Sequence, residues 1–225
     1  MKTRSQSAFT LIEMLVVISI IAVLAAFAVP ALTSALTKGQ MTGTLNNGRQ
    51  LYLAGQQMAL DGAANSDPAL VWPGDDAAIT TVTLYMSRLV ANDYLKVGDV
   101  QKLMNAPGTN ATTTAVPGPP PGVAMGGAIP AFKFFKVKDA DSSNVIFLET
   151  NNYTYNAALA VGTAPFGDKG FIVQRRGGDA SILRKNNAQA GGGGAAIFQG
   201  TVGKKVNDPD GTLGAEAGAD RLNWP

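Results

Sequence analysis

The chain has 225 residues, 18 basic and 16 acidic side chains, a formal charge of +2, and neither cysteine nor histidine. Those two absences exclude Cys- or His-ligated zinc, haem held by His, thiolate nucleophiles, His-based triads and any disulfide. An enzyme here would have to work with carboxylates, Lys, Ser or Tyr; stability has to come from packing, and the length allows one or two domains.

The first forty residues carry the strongest signal. Met1 to Ala8 is short, polar and basic through Lys2 and Arg4. After Glu13 no charge occurs until Lys38, a stretch of 24 residues, and Met14 to Val29 is apolar apart from Ser19. About 20 apolar residues cross a bilayer as a helix, so with Phe9 to Ile12 included this segment is long enough. Basic residues ahead of it predict a cytoplasmic N-terminus, with the bulk of the chain outside.

Three readings compete for the segment. One is a removable secretory signal, with an apolar region over Leu15 to Ala25 and a small-residue site at Ala26-Phe27-Ala28. Another is a plain membrane anchor. The third rests on Glu13. A carboxylate inside an apolar segment costs about 2.5–3.5 kcal/mol on insertion scales, and such residues by default have a partner and a function. A plain signal or anchor has no use for it.

The run Ala8-Phe9-Thr10-Leu11-Ile12-Glu13 resembles the processing site of the type IV prepilin family, which includes the pseudopilins of type II secretion. The resemblance covers about residues 1 to 60. It implies cleavage between Ala8 and Phe9 by a prepilin peptidase, which also methylates the new Phe9 amine and leaves the apolar helix on the mature protein. Glu13 then becomes the fifth mature residue, as in the family, and Pro30 the twenty-second. The family usually has Gly where this chain has Ala8.

Elementary electrostatics gives Glu13 a use in that frame. The Phe9 amine would be a positive charge at the end of an apolar helix, and Glu13 a negative charge one turn along. Neither stays unpaired in lipid at low cost. Subunits stacked with an offset could pair the amine of one with Glu13 of the next. Pro30 removes a backbone hydrogen bond, at about 3 kcal/mol in a helix interior. It is the place where the helix is expected to bend or melt when a subunit passes from membrane to filament.

Beyond the apolar segment, Ala31 to Leu60 continues a helical pattern, with Met41, Leu45, Tyr52 and Ala59 near one stripe. The glycines at 39, 43, 48 and 55 weaken it by about 1 kcal/mol each, so packing has to hold it. Asp61-Gly62 predicts its end, with Gly62 as C-cap. From Phe9 to Leu60 such a helix would measure about 78 Å. Ala63 to Ala78 reads as a loop. A second helix is predicted over Thr83 to Asn92, burying Leu84, Leu89 and Val90, and Asp99 as the cap of a short turn through Met104. Ala106 to Pro130, with its Pro117-Gly118-Pro119-Pro120-Pro121 run, predicts an exposed loop of polyproline character. Strand signals follow at Phe132 to Lys138, Asn144 to Glu149, Gly170 to Gln174, Ala180 to Arg184 and Ala195 to Val202. Arg175 to Asp179 predicts a hairpin connection through Gly177-Gly178. Short separations favour an antiparallel sheet. The fold class is therefore α+β, and the pilin-like lollipop is what the resemblance adds.

Other chemistries are weaker. Gly191 to Gly194 is not followed by the Lys-Ser/Thr of a phosphate-binding loop, so Asn186 to Gly194 reads as a hairpin loop. Some pseudopilins bind calcium through C-terminal loops, and Asp208 and Asp210 lie in such a run; without EF-hand spacing the run reads as a turn, and no other cofactor is expected. The basic pairs Arg175-Arg176, Arg184-Lys185 and Lys204-Lys205, and the Phe132 to Lys136 run, invite a nucleic-acid reading of the kind competence pilins show. Acids close by, at Asp139, Asp141 and Asp179, favour solvated strand faces instead.

The expected organisation is a leader over residues 1–8, a transmembrane and assembly helix over 9–36, its continuation over 37–62, and a periplasmic or extracellular sheet domain over 63–225. The expected role is a structural subunit and not an enzyme: a pseudopilin of type II secretion, or alternatively a type IV pilin for adhesion, motility or DNA uptake. As the resemblance implies, the partners are the prepilin peptidase/methylase, other copies and minor pseudopilins, and an inner-membrane assembly platform. A secreted enzyme or binding protein starting at Val29 is the remaining alternative. Lys2 and Arg4 both lie in the leader, so processing would leave 16 basic and 16 acidic side chains on 217 residues. The apparent basic bias would then be a topology signal, discarded on maturation.

Overall fold

The structure, a computed structural model, describes residues 10–225. The chain divides into two units, Met1–Gly39 and Gln40–Pro225. Helix α1, Leu11–Asn65, contributes its residues up to Gly39 to the first and the remainder to the second.

In the second unit α1 buries Met41, Thr44, Leu45, Gly48, Leu51, Tyr52, Ala54, Gly55, Met58 and Gly62, a stripe at helical spacing. Its glycines are contact points. Gly48 meets Phe132 and Leu148, Gly55 meets the Tyr85 hydroxyl, and Gly62 meets the Leu70 carbonyl. Gly62 is therefore not the C-cap: the helix runs to Asn65, and Ser66 takes the left-handed conformation just beyond, at φ 55°. Only a residue without Cβ lets the Leu70 backbone come so close.

Helix α2, Val82–Ala91, starts where the Thr81 hydroxyl accepts the Leu84 amide at 3.2 Å. It buries Val82, Tyr85, Met86, Leu89 and Val90, while Leu84, expected inside, stays exposed on the opposite face. Helix α3, Val97–Leu103, has Lys96 at its N-cap and Asp99 in its first turn, so Asp99 stabilises the helix end by charge and not as the cap.

The proline-rich stretch corrects the loop expectation. Strands β1, Thr112–Val116, and β2, Gly122–Gly126, form an antiparallel hairpin, and the prolines occupy only its connection. The Ser87 hydroxyl on α2 bonds the Val123 carbonyl and amide at 3.1 Å each, and β2 buries Val123 and Met125. Proline cannot donate to a ladder, but five residues on each side of the run are free of it.

The main sheet has the order β3-β4-β5-β6, all antiparallel: Phe132–Phe134, Ile146–Thr150, Phe171–Arg175 and Ala180–Leu183. The hairpin through Gly177-Gly178 is as predicted, with Gly178 at φ 96°. All five residues of β4 and of β5 are buried, so both faces of the sheet centre are covered. On the α1 side, Phe147 is the hub of an aromatic cluster, within 5.4–6.3 Å of Trp72, Tyr52, Tyr85 and Phe134 by ring centroid or through their mutual contacts. Burying each such ring contributes about 1.5–3 kcal/mol. On the other side Tyr153 stacks on Phe171 at 3.8 Å.

The fifth strand candidate is helix. Gly194–Thr201 forms α4, which buries Phe198 and Gln199. Gln199 holds the loop after it: its amide nitrogen donates to the Thr212 carbonyl at 2.6 Å and the Pro209 carbonyl at 3.0 Å, and its oxygen accepts the Gly211 amide at 2.8 Å. The Gly191 to Gly194 run thus leads into a helix instead of closing a hairpin.

Candidate assembly site

The described residues of the first unit form one apolar helix segment with an acid at its start. Thr10 and Glu13 close a reciprocal cap. The Thr10 hydroxyl accepts the Glu13 amide at 3.2 Å, and Glu13 Oε2 accepts the Thr10 amide and hydroxyl, both at 2.8 Å. This is the Thr-x-x-Glu capping box, which satisfies two amides that have no partner in the first turn of a helix. Thr10 was missed as a structural residue in the sequence, although the Thr10 to Glu13 spacing states it.

Every described residue from Thr10 to Leu36 is exposed, and an 18-residue window of α1 has a mean hydropathy of 2.8 with none of it buried. Leu11, Phe27 and Leu32 are 82%, 78% and 71% exposed. The hydroxyls turn onto their own backbone: Ser19 donates to the Val16 carbonyl at 2.7 Å, Thr33 to Pro30 at 2.9 Å and Thr37 to Thr33 at 3.0 Å. No polar side chain of that set asks anything of a hydrocarbon surrounding. In the single chain, helix is continuous through Pro30. Ala8 and Phe9, the expected cleavage and methylation residues, lie outside the described residues, as do Lys2 and Arg4.

The other sequence candidates sit apart from this segment. Asp208 is buried, taking the Gly214 amide at 3.0 Å and the Gln199 amide group at 3.3 Å, whereas Asp210 is exposed and pairs with Lys204 at 2.8 Å. The two carboxylates serve different partners, and among the described residues no three acidic groups gather as metal ligands would. In each basic pair at least one member meets an acid: Arg175 with Asp179, Arg176 with Asp139, Lys185 with Asp168, and Lys205 with Asp220. Arg175 also donates to the Val202 and Thr201 carbonyls at the end of α4, so it serves packing and not an open basic face.

A family model for the prokaryotic N-terminal methylation motif matches residues 3–29, the segment that contains both the cap and the apolar helix. The match covers the segment whose sequence resembles a type IV prepilin processing site. A curated relative of this prepilin-like chain is the fimbrial protein EcpC of Eikenella corrodens, 34% identical over 110 residues, which are 49% of this chain and 61% of the relative. The chain thus spans about three-fifths of that relative's length. No solved structure matches the chain. The α+β architecture, a long N-terminal apolar helix followed by antiparallel sheet, agrees with the prepilin motif.

Proposed function

We propose that the chain is the structural subunit of a helical filament, held in the inner membrane by α1 before assembly and packed through the same helix afterwards. The observation that carries this reading is the exposure of every residue from Thr10 to Leu36 on a helix that also bears Glu13. Apolar surface of that extent needs lipid or other helices to cover it. A membrane serves first, and the helices of neighbouring copies serve in the filament. Glu13 supplies register, paired with the Phe9 amine of an adjacent copy. The role is structural and needs no cofactor.

The reading includes processing by a prepilin peptidase and methylase at Ala8–Phe9, for which the matched motif speaks, and extraction by an inner-membrane platform into a periplasmic or extracellular filament. The fimbrial relative favours a surface pilus over the secretion pseudopilin that the sequence put first. The freedom from cysteine suits either.

Mass spectrometry of the mature N-terminus tests the proposal. An N-methylated Phe9 is the expected result. A chain beginning at Val29 would mean a secreted protein and would overturn it. Pilus and pseudopilus are then separated by deletion: loss of surface filaments in one case, loss of protein export in the other.

A further inference from the structure

A cavity of about 340 Å³ opens where the C-terminal segment crosses the edge of the sheet. Phe132 and Lys133 of β3, Asn151 after β4, Pro130, and Arg221 to Trp224 line it. Its rim is fixed. The Leu222 amide donates to the Phe134 carbonyl at 2.8 Å, the Asn223 amide to Thr80 at 3.0 Å, and the Val82 amide to Asn223 at 3.0 Å. The Trp224 indole N–H donates to the Gly127 carbonyl at 2.7 Å, which holds the ring in place.

The lining offers unspent hydrogen-bonding capacity. Among the described residues the carboxamides of Asn151 and Asn223 have no hydrogen-bond partner in the chain. The Arg221 side chain is 43% exposed and reaches Glu216 through one nitrogen at 3.3 Å, which leaves the rest of its donor fork unused. Lys133 is committed inward, to the Tyr153 carbonyl, Glu216 at 3.3 Å and Glu149 at 3.5 Å. Burial pushes the Glu149 carboxyl up to about 8, so near neutral pH it is mostly uncharged. Lys133 and Arg221 share the Glu216 carboxylate, and the half-exposed Arg221 guanidinium is the cation left with free donors in the cavity lining.

We propose that this cavity binds an acidic monosaccharide unit, with Arg221 taking the carboxylate, Asn151 and Asn223 the hydroxyls, and Trp224 the apolar face of the ring. The guanidinium fork matches a carboxylate, and neutral carboxamides give and accept at once, as vicinal hydroxyls require. An aromatic side chain pinned at its polar edge presents a rigid apolar surface beside them. The volume suits one sugar ring with water around it.

The test uses the intact protein in detergent and free glucuronate as probe. Trp224 is half-buried while Trp72 is 2% exposed, so intrinsic fluorescence reports on the cavity. A ligand of this size is expected to saturate with a Kd of about 1 mM. Glucose and acetate, each carrying half of the recognised groups, are expected to bind about tenfold more weakly. Arg221→Gln and Asn151→Ala are expected to lose about tenfold for glucuronate, with unchanged near-UV circular dichroism. No saturable response, equal affinity for acetate or for glucose, or an Arg221→Gln variant that binds as before would overturn the proposal.

Discussion

Gly55 of α1 faces the hydroxyl of Tyr85 of α2 so closely that a methyl group at position 55 would overlap it. That hydroxyl is fully buried and has no hydrogen-bond partner. The helix pair therefore carries two linked defects, a helix-weakening glycine and an unsatisfied phenol, and each makes room for the other. Gly55→Ala alone is expected to cost about 1–3 kcal/mol through overpacking, despite the better helix propensity of Ala. Tyr85→Phe is expected to gain about 1 kcal/mol by removing a buried unpaired group. The double variant is expected to be more stable than the sum predicts, by over about 0.5 kcal/mol. Urea unfolding of the four proteins, intact and in detergent, measures the coupling.

The remaining helix glycines divide by what surrounds them. Gly43 has nothing within 4 Å of where a Cβ would stand, so Gly43→Ala is expected to stabilise by up to about 1 kcal/mol. At Gly62 the obstacle is the Leu70 backbone carbonyl, which cannot swing aside as a side chain can. Gly62→Ala is therefore expected to cost more than about 2 kcal/mol. Thermal midpoints shifted in opposite directions would verify the pair.

This division was legible only in part. Glycines in a helical pattern said that packing must hold the helix, and it does. Which glycines are contacts depends on Leu70, Tyr85 and Leu148, which lie far away in sequence. The apolar segment and four of the five strand candidates could be read because they depend on local pattern. The Ala195 to Val202 segment could not, since a short apolar run fits strand or helix alike. In the fold it is a helix whose Gln199 bonds three groups between residues 209 and 212, partners that come from the next loop. The proline run misled in another way: it marks a hairpin connection, and its composition drew attention from the threonine-rich strand before it. In the assembly segment, Glu13 was read for its charge while its cap with Thr10 went unread.

Glu149 predicts a pH dependence. Its carboxyl is raised mainly by burial, with Lys133 opposing and Glu216 reinforcing the shift, to about 8. Between the unfolded value near 4.5 and about 8 the native state holds a proton that the unfolded chain has released. Stability from this group is thus present at low pH and declines as pH rises through that window, by at most about 1.4 kcal/mol per pH unit. Glu149→Gln keeps the shape and cannot ionise. It is expected to flatten the decline, most visibly between pH 6 and about 8, in denaturant midpoints measured at successive pH values.

Thr10 and Glu13 allow the two uses of the acid to be separated. Thr10→Val removes the hydroxyl that accepts the Glu13 amide, while Glu13→Gln keeps an oxygen for the Thr10 amide and loses only the charge. If Glu13 served the helix end alone, Thr10→Val would be the worse change, at about 1 kcal/mol. If it pairs with the Phe9 amine of a neighbour, Glu13→Gln leaves an ammonium unpaired in an apolar interface, at a cost of several kcal/mol. Filament yield by sedimentation is therefore expected to fall severely in Glu13→Gln and only mildly in Thr10→Val. Cleavage at Ala8–Phe9, followed by the mass of the mature chain, is expected to continue in both. The opposite ranking would make Glu13 a cap and nothing more, and register would have to come from the apolar contacts of α1.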